Sequence, residues 1–152
     1  MSTETQSRHT VRLHEKRRVE KPRADVFTYA ADFSNIENWD PGVVSSTKIT
    51  DGPIGVGTKY ELDVKFGLGT IPMIYEITVY EPATRVVLVG TGTQLHAVDE
   101  MRFATDGDTT VIDYTADLTF LNFFKYLTPL MQPALRNVGT RALDGLAKAL
   151  QQ

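Results

Sequence analysis

Residues 58–66 alternate without a break: Tyr60, Leu62, Val64 and Phe66 fall on one side of an extended chain, and Lys59, Glu61, Asp63 and Lys65 on the other. Successive side chains of a strand point to opposite faces, so Thr58 to Phe66 reads as a strand with one buried and one wet face. That period recurs along the chain. Met73 to Glu81 places Met73, Tyr75, Ile77 and Val79 inward against Glu76 and Thr78. Leu95 to Ala104 places Leu95, Ala97, Asp99, Met101 and Phe103 inward, and Val111 to Phe120 does so with Ile112, Tyr114, Ala116, Leu118 and Phe120. The segments Val11 to Lys21, Val43 to Thr50 and Arg85 to Gly90 complete the set, with Val86 and Leu88 reading as inward in the last. Turns rich in Gly, Pro and Asp separate these runs, as a meander of antiparallel strands requires.

Two departures from this period frame the strands. Between the first and second strands, Ala24 to Ala31 has helical spacing in Val26, Phe27 and Ala30. Ser34, with Glu37 three residues on, has the pattern of a cap for a second short helix, stopped by Trp39, Asp40, Pro41 and Gly42. At the far end, Leu127, Met131, Leu135, Val138, Ala142, Leu146 and Leu150 repeat every three or four residues, which predicts one amphipathic helix from Thr128 to Leu150. Pro133 lacks the N–H that a continuous helix needs there, so a kink or a later start is expected near it. A curved sheet closed by such a helix encloses space, and the single tryptophan, Trp39, is placed to border it.

Composition narrows the function. A chain of 152 residues is enough for one core, and residues 1–9 are too polar to join it, so they read as a flexible N-terminal arm before a single domain of residues 10–152. The net charge of -3 argues against nucleic acid as a partner. No apolar run approaches the length of an integral membrane segment, and the first ten residues lack the apolar stretch of a secretory signal. With zero cysteines, a cytoplasmic location is the default expectation. His9, His14 and His96 are dispersed, so no metal is expected, and no cofactor motif is present.

Four segments resemble one family: Pro22 to Phe27 (PRADVF), Asp32 to Pro41 (DFSNIENWDP), Gly52 to Thr58 (GPIGVGT) and Arg136 to Leu150 (RNVGTRALDGLAKAL). Together they make residues 10–150 similar to the START-like helix-grip (SRPBCC) superfamily, in its polyketide cyclase/dehydrase and lipid-transport branch. The resemblance implies an α+β helix-grip fold, in which a curved seven-strand antiparallel sheet wraps around a long C-terminal helix, with two short helices after the first strand. Members of that superfamily bind lipids, sterols, polyketides or plant hormones, and a minority catalyse cyclisation or dehydration. No catalytic signature common to them carries over to residues of this chain.

The inward phases supply the candidate site. Trp39, Tyr60, Leu62, Val64, Phe66, Tyr75, Ile77, Leu88, Asp99, Met101, Tyr114, Ala116 and Phe120 are expected to line a cavity from the sheet side, with Leu127, Met131 and Leu135 facing them from the helix. The turns at residues 67–72 and 90–94, together with residues 119–124, fall at one end of the sheet and form the candidate mouth. Among apolar neighbours, Asp99 is the group with chemistry. Glu15 and Arg17 share the inward phase of Val11 and Leu13, so Arg17 is a candidate partner for Asp99. A buried acid with phenols nearby suits general acid/base work, and Asp99, Tyr114 and Arg17 are the candidate catalytic residues. The bland alternatives are an internal ion pair with satisfied hydrogen bonds, or a local register shift that turns these charges to solvent.

Other signals carry less. The glycines of Gly52 to Gly57 lead into a strand and lack the Lys-Ser/Thr ending of a phosphate loop, so they read as a hairpin turn. The basic run Lys16, Arg17, Arg18 is interrupted by Glu15 and Glu20 and reads as a solvated strand face. The expected function is non-enzymatic binding or carriage of a small hydrophobic ligand such as a lipid or polyketide. A cyclase/dehydrase-type enzyme using Asp99 and the cavity tyrosines is the alternative, and a protein-interaction module a second. The oligomeric state, monomer or homodimer, is open.

Overall fold

The computed structural model describes residues 9–151, so residues 1–8 of the expected arm lie outside the described residues. The elements run in the order β1 (Thr10–Val19), α1 (Arg23–Ala31), a first 3-10 helix (Phe33–Asn38), β2 (Val43–Lys48), β3 (Lys59–Phe66), β4 (Gly69–Glu81), β5 (Arg85–Thr91), β6 (Leu95–Asp106) and β7 (Thr109–Phe120). A second 3-10 helix (Asn122–Leu127), α2 (Thr128–Leu135) and α3 (Val138–Leu150) complete the chain. The strands make one open antiparallel sheet in the order β1-β7-β6-β5-β4-β3-β2. This is the helix-grip fold that the resemblance implied, with differences in its helices.

Alternation sets the buried face. Tyr60, Leu62, Met73, Ile77, Leu88 and Met101 have at most 1% of their surface exposed, while Lys59, Glu61 and Lys65 face out. Val86 and Leu88 are both inward, paired with Met101 and Asp99. The phase slips once in β4, where the register shifts between Ile77 and Val79. Such a bulge bends its strand and reverses the facing of the residues beyond it. Tyr80 therefore meets the core in place of the expected Val79, pairing with Val86 and stacking edge-on against Phe27 at 5.2 Å. Phe27 also meets Phe103 at 5.3 Å, which ties α1 to the sheet.

Two expectations for the helices are corrected. The first 3-10 helix is capped by Asp32, whose carboxylate accepts hydrogen bonds from the Ser34 amide (3.0 Å) and hydroxyl (2.6 Å). Ser34 is thus the donor to the cap rather than the cap. The expected single helix from Thr128 to Leu150 is two, separated at Arg136 and Asn137. Pro133 deprives the Pro129 carbonyl of its helical partner, and the helix ends within three residues of it. Only α3 is gripped: Ala142, Leu143, Leu146 and Leu150 are buried, whereas Met131 and Leu135 of α2 are half-buried.

A buried carboxyl between the sheet and its helix

At the centre of the sheet Asp99 on β6 pairs with Leu88 on one side and Ala116 on the other. Its phase is inward, so the carboxyl lies in the apolar interior with 5% of the residue exposed. Tyr114, two residues from Ala116 on β7, lies diagonal to it, and its hydroxyl donates to Asp99 Oδ2 at 3.1 Å. The other carboxyl oxygen, Oδ1, is buried without a hydrogen-bond partner among the described residues. Burial pushes the Asp99 carboxyl up to about 7, opposed by the Tyr114 hydroxyl and assisted by the charges of Asp40 and Asp117.

Aromatic rings fill the space beside it. Tyr75 is buried with its ring laid over Gly90, where an added Cβ would come within 2.5 Å of Cζ. Phe33 contacts Tyr75, Tyr60 and Trp39 at ring-centroid distances of 5.6, 6.2 and 6.3 Å. Burial first, and the charge of Asp99 next, push the phenols of Tyr75 and Tyr114 well above their ordinary value, so both remain protonated donors. The Trp39 indole Nε1 is buried without a partner among the described residues, and burial, followed by the charge of Asp32, raises the Tyr60 phenol.

Asp40 is the acidic residue that sequence reasoning missed. It follows Trp39 and reads in the sequence only as part of a helix stop, yet its charge is felt by Asp99, Tyr75 and Tyr114. Burial raises its carboxyl, opposed by the Gly42 amide, which donates to Oδ1 at 2.8 Å, and by Lys65. The signal was available in the sequence: a carboxylate adjoining the one tryptophan, at the junction where the helices meet the sheet.

The expected Arg17–Asp99 pair does not form. Leu13 is the β1 residue level with Ala116 and hence with Asp99, whereas Arg17 pairs with Ile112, four residues and roughly 13 Å along the strand. Arg17 instead bonds Asp144 of α3 at 2.8 Å and Glu15 at 3.1 Å, and Glu15 accepts from the Thr140 hydroxyl at 2.6 Å. This network fastens α3 to the sheet edge.

The remaining expected liners are brought together as one packed cluster. Leu62, Ile77, Leu88, Met101, Ala116 and Phe120 are buried, with Val64, Phe66, Met131 and Leu135 partly buried against them and Leu127 half-buried. Toward the expected mouth the liners are only partly buried. There Phe66 meets Phe124 at 4.8 Å and Phe120 at 6.2 Å, so rings from the sheet and the second 3-10 helix close that end. An open groove of about 540 Å³ lies elsewhere, along β1 against Gln132, Arg136 and Gly139, and none of the expected binding residues lines it. Among the described residues no cluster of His, Asp or Glu is arranged to hold a metal, and no helix is long and apolar enough to cross a membrane.

Comparison with known proteins places this arrangement. Residues 10–151 match the family described as polyketide cyclase / dehydrase and lipid transport. Among solved structures, the Zhui aromatase/cyclase from Streptomyces sp. R1128 is 14% identical over 94% of each chain, with a TM-score of 0.76. A protein from Thermus thermophilus is 17% identical, covering 93% of this chain and 97% of its own, also at 0.76. A START superfamily protein from Mycobacterium smegmatis is 18% identical over 92% of this chain and 94% of its own, at 0.68. These likenesses concern the fold. No curated protein sequence matches the chain.

Proposed function

The chain belongs to the polyketide cyclase / dehydrase and lipid transport family, and from that premise we propose that it takes a small, mainly hydrophobic molecule between sheet and helix, with Asp99 as the polar anchor. The observation that carries this is Asp99 Oδ1, a buried carboxyl oxygen with no partner in an otherwise apolar interior. Leaving such an atom unsatisfied costs about 1–3 kcal/mol, which a bound carbonyl or hydroxyl would offset. The protonated acid donates to a carbonyl, and the carboxylate accepts from a hydroxyl. In this reading room comes from the mouth, where Phe66, Phe124, Met131 and Leu135 are only partly buried.

Native mass spectrometry of the purified protein tests this directly, with a retained small molecule of defined mass as the expected result. Trp39 gives a second readout. It is the only tryptophan and contacts Phe33, so an apolar ligand entering beside that ring should shift its emission. Titrations with a long-chain fatty acid and with a flat polycyclic ketone that show no binding by calorimetry, together with an empty mass spectrum, would remove the binding reading.

A second reading is favoured by the Tyr114–Asp99 hydrogen bond and a carboxyl poised near 7. A general acid/base works best when its pKa lies near the operating pH. In this reading the Asp99 carboxylate takes a proton from the carbon beside a ketone as the Tyr114 hydroxyl turns its hydrogen from Asp99 to the ketone oxygen; the enolate then expels a β-hydroxyl, which leaves as water with the proton that Asp99 returns. Asp99→Asn then lowers turnover by about 10² to 10⁴ while binding persists. Under the carrier reading the unmodified protein converts nothing.

A further inference from the structure

The mouth end of the sheet exposes apolar side chains that the interior does not use. Leu68, at the tip of the β3–β4 turn, is fully exposed, and Phe123, Tyr126 and Leu130 are 68%, 68% and 78% exposed. They belong to one face. Leu68 stands two residues from Phe66, which packs on Phe124, and Phe124 contacts Phe123 at 6.1 Å. In a 3-10 helix residues i and i+3 eclipse, so Phe123 and Tyr126 project together, and Leu130 comes one α-helical turn later. The 90–94 turn joins the same end, since the Leu121 amide donates to the Gln94 carbonyl (2.9 Å) and the Asn122 side chain to the Thr93 carbonyl (2.7 Å).

Charge is distributed as unevenly as apolar surface. Residues 64–72, 90–96 and 118–130, at this end, contain no Asp or Glu, although the chain has 19 of them and a net charge of -3; Asp40, on the loop that leads into β2, adjoins the same end. These stretches do contain Lys65 and Lys125. Lys125 lies with its ammonium 5.0 Å from the Tyr126 ring centroid, beside the apolar face. Lys65 acts on the carboxyl of Asp40, which is half-buried. An exposed apolar face flanked by lysines, with the adjoining Asp40 carboxyl half-buried, complements a surface that is apolar inside and anionic outside.

We propose that this end of the molecule docks on an anionic phospholipid bilayer. Leu68, Phe123, Tyr126 and Leu130 enter the boundary between headgroups and acyl chains, and Lys65 and Lys125 meet the lipid phosphates. The proposal stands on the surface alone and holds whether or not the interior carries a ligand. Docking there would turn the Phe66–Phe124 closure toward the lipid.

Flotation of the full chain with vesicles is the test, comparing pure phosphatidylcholine with phosphatidylcholine containing about 30% phosphatidylglycerol. The wild-type protein is expected to float with the anionic vesicles, and less so as salt is raised, because screening weakens exposed charges. Leu68→Ser combined with Phe123→Ser removes exposed groups without touching the core, and should lower partitioning by about tenfold or more. Lys125→Glu should reduce the preference for the anionic lipid. Circular dichroism and Trp39 emission verify that the variants are folded. Absence of flotation with anionic vesicles, or equal flotation of wild type and the folded double variant, overturns the proposal. So does concentration-dependent dimerisation in sedimentation that the double variant abolishes, since a second copy would then own this face.

Discussion

An added Cβ on Gly145 of α3 would lie 1.9 Å from the carbonyl oxygen of Trp39. The helix and the Trp39 backbone are thus in direct contact, and the only side chain that permits it is a hydrogen atom. In a helix interior Ala is ordinarily the better residue by about 1 kcal/mol. Gly145→Ala is expected to reverse that sign, losing roughly 1–3 kcal/mol or more as α3 is levered off the first 3-10 helix. Gly55→Ala, at a glycine with nothing within 4 Å and no positive φ, serves as the near-neutral control. Chemical denaturation midpoints of the two variants check the contrast.

Gly90 makes a different demand. Its Cβ would meet the far end of the Tyr75 ring at 2.5 Å, and a side chain can move where a backbone carbonyl cannot. Gly90→Ala should therefore be less destabilising than Gly145→Ala while swinging the phenol away from its place beside Asp99. The expected signature is weakened ligand binding in calorimetry with most of the folding stability kept. Unchanged affinity in the folded variant would show that Tyr75 only fills space.

What the sequence made legible was whatever rests on a local period. The inward phases of Tyr60, Leu62, Leu88, Asp99 and Tyr114 come from alternation alone, and the structure holds them all on the buried face. The bulge at residues 77–79 was not legible, because Ile77, Thr78 and Val79 carry no glycine or turn residue to mark it. Its consequence, Tyr80 in place of Val79, escaped with it. The partner of Arg17 was not legible either. Phase fixes the face a residue occupies, but only register fixes its level, and four residues along β1 separate Arg17 from the level of Asp99. Asp40 escaped because a loop has no period at all.

The Arg17 correction can be tested on its own. Asp144 is 62% exposed, and an ion pair open to water contributes only about 0–1 kcal/mol. Arg17→Met should therefore cost no more than about 1 kcal/mol, and the loss should shrink in high salt. Removing a buried partner of Asp99 would cost about 3–5 kcal/mol and would be insensitive to salt. Denaturation of Arg17→Met at low and high salt separates the two arrangements.

Asp99 leaves a mark on the dependence of stability on pH, and its sign is opposite to that of a salt-bridged carboxylate. Its native carboxyl titrates at about 7 against an ordinary value of 3.8, so between those values the folded protein holds a proton that the unfolded chain has released. Stability then falls as pH rises through that window and levels off above it. Asp99→Asn keeps an acceptor for the Tyr114 hydroxyl but has nothing to titrate. Asp40, also raised by burial, is present in both proteins, so most of its contribution cancels in the difference between them. Wild type should lose about 1 kcal/mol or more relative to Asp99→Asn between about pH 5 and pH 8, since a tenfold change in proton affinity corresponds to about 1.4 kcal/mol. Urea denaturation of both proteins at several pH values in that range provides the measurement. A stability difference that stays flat with pH would mean that Asp99 titrates as an ordinary carboxylate, and its proposed role as a neutral donor in the interior would be lost.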